Sequence, residues 1–424
     1  MSRYLTSIIE QALWSLLNLG VILLLAKLAA PAEFGAFVFW SSTAYVLSSV
    51  QNAVSLCHLQ VLPPAAGTDP ARRDVERLML MVTVVFLALV AGAVLVVALA
   101  LRAGGSGFGA PVAALFVPAF LLQQYVRFVC FSRGEAKTAA VQTGAVLVLA
   151  AGFLGLGHLL FQPLHADEIL GLLGAAYGLV GLAGWLRAMG GGLSERLDWR
   201  RLCDYGGYVR QSGWIFLGVT SSELLARFYV FAVGGAFGNA VLALLSFSQT
   251  FLRPVPLLAL SWSMVGRNDL VRRREAADWR GFSRMLLLTT AGGIAVAAVW
   301  TLLVYEAWPL ITAGLFDGRY HEAQALLPLW GLAAGLGFGQ TVLSTGLQVL
   351  KAFKALALAN AAASLAATAA ILSAMGPLGY AGAVVGTAVG QGLEAVIAGV
   401  ILAVMLRRLS AAPRSGPSGS QPPG

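Results

Sequence analysis

The sequence predicts an all-α integral membrane protein, a bundle of about twelve transmembrane helices in two pseudo-symmetric six-helix lobes. Three observations carry that expectation: a composition too apolar for a wetted surface, a succession of membrane-length apolar runs, and a faint likeness between the two halves of the chain. Of the 424 residues, 58% are apolar and only 11% are charged. A water-soluble chain of this size could not cover itself with polar groups drawn from that stock. Crossing hydrocarbon takes about 20 mostly apolar residues. Such runs fall near 8–30, 35–57, 78–101, 108–131, 138–162, 167–187, 209–234, 237–265, 285–307, 322–350, 355–376 and 379–406. The sequence lacks strands that alternate apolar and polar residues, which excludes an outer-membrane barrel. The first run carries Glu10 and Lys27 and leads directly into the second, so it reads as a retained helix and not as a cleaved signal.

The net charge of +9 could point to a nucleic-acid partner, but its placement points to topology instead. With the N-terminus inside, 22 of the 28 Lys and Arg residues fall on inner loops and tails. Only Arg102 and Arg319 fall outside, and Lys27, Arg127, Arg227 and Arg253 lie within runs. Short inner loops of membrane proteins collect Lys and Arg. The expected location is therefore the bacterial cytoplasmic (inner) membrane, with both termini in the cytoplasm and no nucleic-acid partner. The basic run Arg272-Arg273-Arg274 reads as a topology determinant held near anionic membrane lipid.

The two longest inner loops span about 188–208 and 266–284, and the first divides the chain near its middle. Across that division Gln11-Ala12-Leu13-Trp14 answers Gln211-Ser212-Gly213-Trp214, Lys27 answers Arg227, and Phe34-Gly35 answers Phe237-Gly238. The reading is an N-terminal lobe over 1–190, a C-terminal lobe over 205–410 and a disordered Pro/Ser/Gly-rich tail over 411–424. Six helices per half point both copies the same way and leave a cleft between the lobes.

The loops exclude other classes. Outer loops are short and hold little beyond Glu33, His165, Asp167, Glu168, Asp317, Arg319 and His321, too few groups for an outer-face enzyme of the polymerase or ligase kind. No phosphate-binding P-loop pattern occurs. The cysteines Cys57, Cys130 and Cys203 and the four scattered histidines form no ligand pattern, so neither a metal nor a cofactor is expected.

An ionisable group inside the bilayer costs from about 2.5 kcal/mol upward, so each is a functional candidate unless it can reach the headgroups. Arg253 stands out. It lies mid-run, and Pro254 and Pro256 follow it, each removing a backbone donor and disturbing the helix. Broken helices at this depth tend to line cavities. Glu223 and Arg227 share a helix face four residues apart and can pair. Glu394, beside Gln391, could carry a proton in a coupled cycle or serve as the partner of Arg253. Lys27 lies near the outer end of its helix, where snorkelling competes with a cavity role, and Arg127 follows Gln123, Gln124 and Tyr125. Gln51 and Asn52 occupy in the first half nearly the place of Arg253 in the second. The stripes Gln11/Ser15/Asn18 and Asn360/Ser364/Thr368 either face the cleft or join helices. Together these residues describe a cationic interior suited to an anionic substrate such as a lipid phosphate.

Several segments resemble a known family. Lys27-Leu28-Ala29-Ala30-Pro31-Ala32-Glu33-Phe34-Gly35 resembles the basic-Leu-x-x-Pro-x-x-Phe-Gly opening of the polysaccharide biosynthesis (O-antigen flippase, Wzx-like) family. Leu315-Phe316-Asp317-Gly318-Arg319-Tyr320, Leu350-Lys351-Ala352-Phe353-Lys354 and Gly379-Tyr380-Ala381-Gly382 are similar to later segments of that family, in the same order. The family belongs to the superfamily that also holds multidrug (MATE) exporters and the lipid II flippase. The resemblance implies a flippase that moves an undecaprenyl-pyrophosphate-linked oligosaccharide (O-antigen, capsule or exopolysaccharide unit) across the membrane by alternating access. It further implies a head group held in a cationic cavity, where Arg253, Arg127 and Arg227 would fit. Partners would be the lipid-linked anionic glycan, membrane lipids and other polysaccharide-assembly proteins. The acid common near the start of the seventh helix in relatives would correspond to Glu223. The competing reading is a cation-coupled exporter of small molecules.

Overall fold

The computed structural model describes residues 3–60, 70–189 and 199–411. Among these the chain is helical almost throughout and holds no strand. The first half contains α1 (Arg3–Leu28), α2 (Pro31–Gln51), α3 (Cys57–Gln60), α4 (Pro70–Ala103), α5 (Ala113–Ser132), α6 (Ala136–Leu160) and α7 (Ala166–Met189). A π-helical turn, Asn52–Leu56, joins α2 to α3 as one continuous span. After a 3-10 turn (Trp199–Tyr205), the second half contains α8 (Gly206–Phe237), α9 (Asn239–Thr250), α10 (Pro254–Glu275) and α11 (Trp279–Leu315). A second 3-10 turn, His321–Leu326, precedes α12 (Leu327–Val349), α13 (Phe353–Leu378) and α14 (Ala381–Ala411). The expected disordered tail beyond 411 and most of the central loop lie outside the described residues.

Among the described residues ten helices are long and apolar enough to cross a membrane, and α9 with α10, bent by 49°, passes the same test together as an eleventh. The α2–α3 unit is not among these spans, because its Ser, Thr and Gln residues dilute its apolar character. Leu310, Leu159, Val141, Val148 and Leu287 are each 70% or more exposed, an arrangement that lipid tolerates and water does not.

Local chemistry sets the helix ends. Pro31 and Pro254 begin α2 and α10, where a missing N–H costs nothing. Asp278 caps α11 by accepting from the Gly281 N–H at 2.8 Å. Small residues then bring helices close. Gly382, Gly386 and Gly390 line one face of α14, and an added Cβ there would collide with Ala374, Ile371 and Ala367 of α13.

In the first half α5 packs on α7 and α4, and α1 on α6; in the second, α13 packs on α14 and α8, and α12 on α14, α11 and α10. The halves meet chiefly where α2 lies against α8 and α9. One end of the bundle bears Arg72, Arg133, Arg280, Lys351 and Arg407 at successive helix ends and forms a basic face. At the opposite face the two Phe-Gly segments paired in the sequence come together. Gly35 lies against the Asn239 backbone so closely that no Cβ would fit, next to Gly238, whose φ of +81° allows the turn from α8 to α9. The seam continues through Asn239 Nδ2 donating to Gly107 O at 2.8 Å. Arg319 Nη1 donates to the carbonyls of Lys27 (3.3 Å) and Ala29 (3.1 Å) at the end of α1. Tyr320 completes it, stacked on Phe247 and edge-on to Phe34.

Candidate functional site

The prolines after Arg253 break the helix as their chemistry requires. Neither Pro254 nor Pro256 can donate, and the Val255 N–H turns back to Leu252 O at 3.1 Å. The Phe251 carbonyl is thereby released from the ladder and accepts instead from the indole of Trp300 on α11, at 2.8 Å. Arg253 becomes the residue preceding α10, and its side chain lines a central cavity between the two halves. The positive end of the α10 dipole adds to its charge at this point.

The cavity takes two kinds of wall. The second half supplies Arg227, Tyr229, Ser246, Gln249 and Arg253. The first half supplies Asn18 and the rings of Phe37, Tyr45, Phe116, Phe120 and Tyr177. Arg227 Nε donates to Glu223 Oε2 at 2.8 Å, and its guanidinium lies 4.3 Å from the centre of the Tyr45 ring. The Tyr45 hydroxyl donates to Asn18 Oδ1, and the Tyr229 hydroxyl donates to Gln249 Oε1 at 2.7 Å. Arg253 has no carboxylate partner among the described residues. Two guanidiniums against one carboxylate leave the cavity positive. Its free space is about 70 Å³, room for a few waters and not for a head group, so this conformation is contracted around the site.

Arg127, the third arginine expected there, is placed otherwise. Its Nε and Nη2 reach Glu10 Oε1 and Oε2 at 2.6 and 2.9 Å, a bidentate pair between α5 and α1. Thr143 of α6 donates to the same carboxylate at 2.8 Å, and the Trp14 ring lies 4.7 Å from the guanidinium. Arg127 is 6% exposed and Glu10 not at all. The structure brings Arg127 to a neutralised three-helix junction and not to the cavity lining. Glu10 was visible in the sequence only as a charge in the first run; nothing local marks its partner.

Glu394 is also separate from the cavity, and it is not the partner of Arg253. It is buried on α14 and accepts from Gln340 Nε2 of α12 at 2.6 Å. With its amide turned so that nitrogen faces acceptors, Asn360 of α13 donates to Glu394 Oε1 at 2.5 Å and accepts from Ser222 of α8. In the Asn360/Ser364/Thr368 stripe, Asn360 and Ser364 therefore join helices while Thr368 bonds within α13, whereas Asn18 of the α1 stripe faces the cavity.

Lys27 is exposed at the end of α1, away from the cavity. Gln51 is fully buried, its Nε2 donating to Leu121 O of α5 at 3.3 Å, and Asn52 opens the π-helical turn; neither lines the cavity. Their likeness to Arg253 is one of backbone: both sites interrupt a span, one with a π turn and one with a proline break.

No family model matches this sequence, and neither does any curated protein. Solved structures match over nearly the whole chain. The lipid II flippase MurJ in an inward closed conformation aligns with a TM-score of 0.72 at 13% identity, over 96% of this chain and 90% of that one. A multidrug resistance MATE family transporter of the MOP superfamily in its inward-facing conformation gives 0.68 at 14%, over 95% of this chain and 99% of that one. An outward-facing MATE conformation gives 0.61 at 11%, over 96% and 95%. The chain has the fold of these MATE and MurJ structures, with ten or eleven candidate membrane spans among the described residues, and of the two MATE conformations the inward-facing one lies nearer to it.

Proposed function

We propose that this protein is a flippase of the bacterial cytoplasmic membrane that carries an undecaprenyl-pyrophosphate-linked oligosaccharide from the inner to the outer leaflet by alternating access. The observation that carries the reading is Arg253, a cation without a carboxylate partner, held by a proline-broken span at the wall between the lobes. A diphosphate offers what that position lacks, a dense anion able to take several guanidinium hydrogen bonds. Arg227, paired and half-buried, supplies a second contact, and the aromatic wall of the first half suits the flat faces of sugar rings. The likeness to MurJ, a lipid II flippase, supports a lipid-linked substrate. The basic face is read as cytoplasmic from its Lys and Arg content. The site is then sealed at the outer face by the Gly35, Asn239 and Arg319 seam.

Arg253→Ala tests this reading. The variant should reach the membrane in normal amount and abolish surface polysaccharide in a host that depends on it; normal polysaccharide would remove Arg253 from the mechanism. The aromatic wall and the likeness to a multidrug resistance MATE family transporter also favour a second reading, export of small organic molecules. Two arginines argue against cationic cargo, and deletion should therefore leave sensitivity to cationic dyes unchanged.

A further inference from the structure

The two halves treat the cations of the basic face differently. In the first half Arg72 and Arg133 share Glu76 at 2.9 and 2.7 Å, and Arg77 lies 3.9 Å from Asp74. In the second half each member of the run Arg272-Arg273-Arg274 has a neighbouring acceptor within the protein. Arg272 lies 3.6 Å from Asp269, Arg273 pairs with Asp278 at 2.9 Å, and Arg274 donates to Val349 O at 2.7 Å. Arg267 donates to Gln348 at 2.7 Å, and what remains is a different set: Arg280, Arg284, Lys351, Lys354, Arg407 and Arg408, all exposed and without an acidic partner among the described residues.

These six converge because the helix ends bearing them share one apolar cluster. Phe282 and Leu286 of α11 pack with Leu347 and Val349 of α12 and with Leu402 and Leu406 of α14. The turns between helices here are only residues 276–278 and 350–352, so the charges stay level with the helix ends instead of projecting into solvent. Within a turn of them lie the lipid-exposed Leu287, Leu288 and Val404, and Trp279 and the exposed Phe353 sit at the same level. Aromatic rings beside cations at span ends mark the headgroup region of a bilayer.

We propose that this face of the second half is a binding surface for anionic phospholipid headgroups, with Arg280, Arg284 and Lys354 at its centre. A phosphate at the depth of Trp279 meets cations that have no carboxylate to displace; in the first half Arg72 and Arg133 are held by Glu76, and Lys137 and Arg187 are the exposed cations left there among the described residues. The surface does not depend on which substrate occupies the central cavity.

The test uses the full chain in nanodiscs of phosphatidylcholine and phosphatidylglycerol, with retained lipid counted by native mass spectrometry. Phosphatidylglycerol should be retained preferentially, by about fivefold per engaged cation at low ionic strength, falling as salt is raised. The variant Arg280→Gln/Arg284→Gln/Lys354→Gln should lose most of that preference, and Arg73→Gln/Arg77→Gln in the first half should keep it. A rise in Tm on adding phosphatidylglycerol should likewise appear in the parent and the first-half variant but not in the triple variant. Equal retention of both lipids by the parent would overturn the proposal, as would a triple variant that retains phosphatidylglycerol like the parent.

Discussion

Arg127 and Arg253 are both deep arginines beside disturbed or crowded helices, yet each half of the molecule has settled its cation differently. In the first half Glu10, Thr143, Gln124 and Trp14 enclose Arg127, and the pair is removed from solvent on all sides. In the second half Arg253 faces the cavity, with Tyr229 and Gln249 nearby but no anion. Burying a charge is tolerable when its partner is buried with it, and a buried pair strongly resists the loss of either member. A cation left unmatched at a cavity wall keeps its capacity for a ligand. The difference separates a buried ion pair from an unpaired arginine at a cavity wall, although the sequence presents the two arginines alike.

The sharpest way to break this comparison is Glu10→Ala, which strands the Arg127 guanidinium in a dry site. The expected loss is about 3–5 kcal/mol of stability, seen as a large fall in Tm of the detergent-solubilised protein. Combining it with Arg127→Met should restore most of the loss, since no buried charge is then left over. A Glu10→Ala protein that melts like the parent would mean that the junction is not what holds α1, α5 and α6 together.

Arg253→Ala should behave in the opposite sense. Stability should hold, because no buried partner is orphaned, while binding of a pyrophosphate-linked lipid to the purified protein should weaken by about 2–5 kcal/mol. Unchanged binding together with a fall in Tm would make Arg253 a second structural arginine and erase the contrast.

The seam between the halves is the next target. Gly35→Val should cost about 1–3 kcal/mol through overpacking against Asn239, and the strain should be relieved by parting the seam. Maleimide labelling of a Tyr45→Cys reporter from the outer face should then rise. Arg319→Gln removes a cation from the carbonyl end of α1, worth about 0.3–1 kcal/mol at an exposed site, and should produce a smaller rise in the same labelling. An increase larger than that of Gly35→Val would show that the arginine strap, not the backbone contact, keeps the seam closed.

The fold was largely legible beforehand because membrane crossing imposes a constraint on each segment separately. Runs such as 138–162 and 167–187 match α6 and α7 within two residues at each end. The bend at Arg253 was legible for the same reason, since Pro254 and Pro256 act on their own backbone. The candidate site was legible only in part. Arg253, Arg227 and Glu223 were readable from local signals, depth in the run and spacing of four. Glu394 was not assignable, because Gln340 and Asn360 lie on other helices. Arg319 is legible only as an outer-loop cation, because the carbonyls of Lys27 and Ala29 that it reaches lie some 290 residues away.

The sequence by itself determined that this is a bundle of about twelve apolar helices, which face carries the cations, and where a span must break. Each of these follows from composition, length or proline within one stretch of chain. Only the tertiary structure decided which charges neutralise each other, because Glu10 and Arg127 stand 117 residues apart and are brought together by helix packing that no local pattern encodes. It likewise decided that Arg253 lines the cavity without a carboxylate partner among the described residues, and that Arg280, Arg284 and Lys354 are exposed and unpaired whereas Arg272 and Arg273 lie beside Asp269 and Asp278. A charge can be counted from the sequence, but whether it is spent depends on which helix lies beside it.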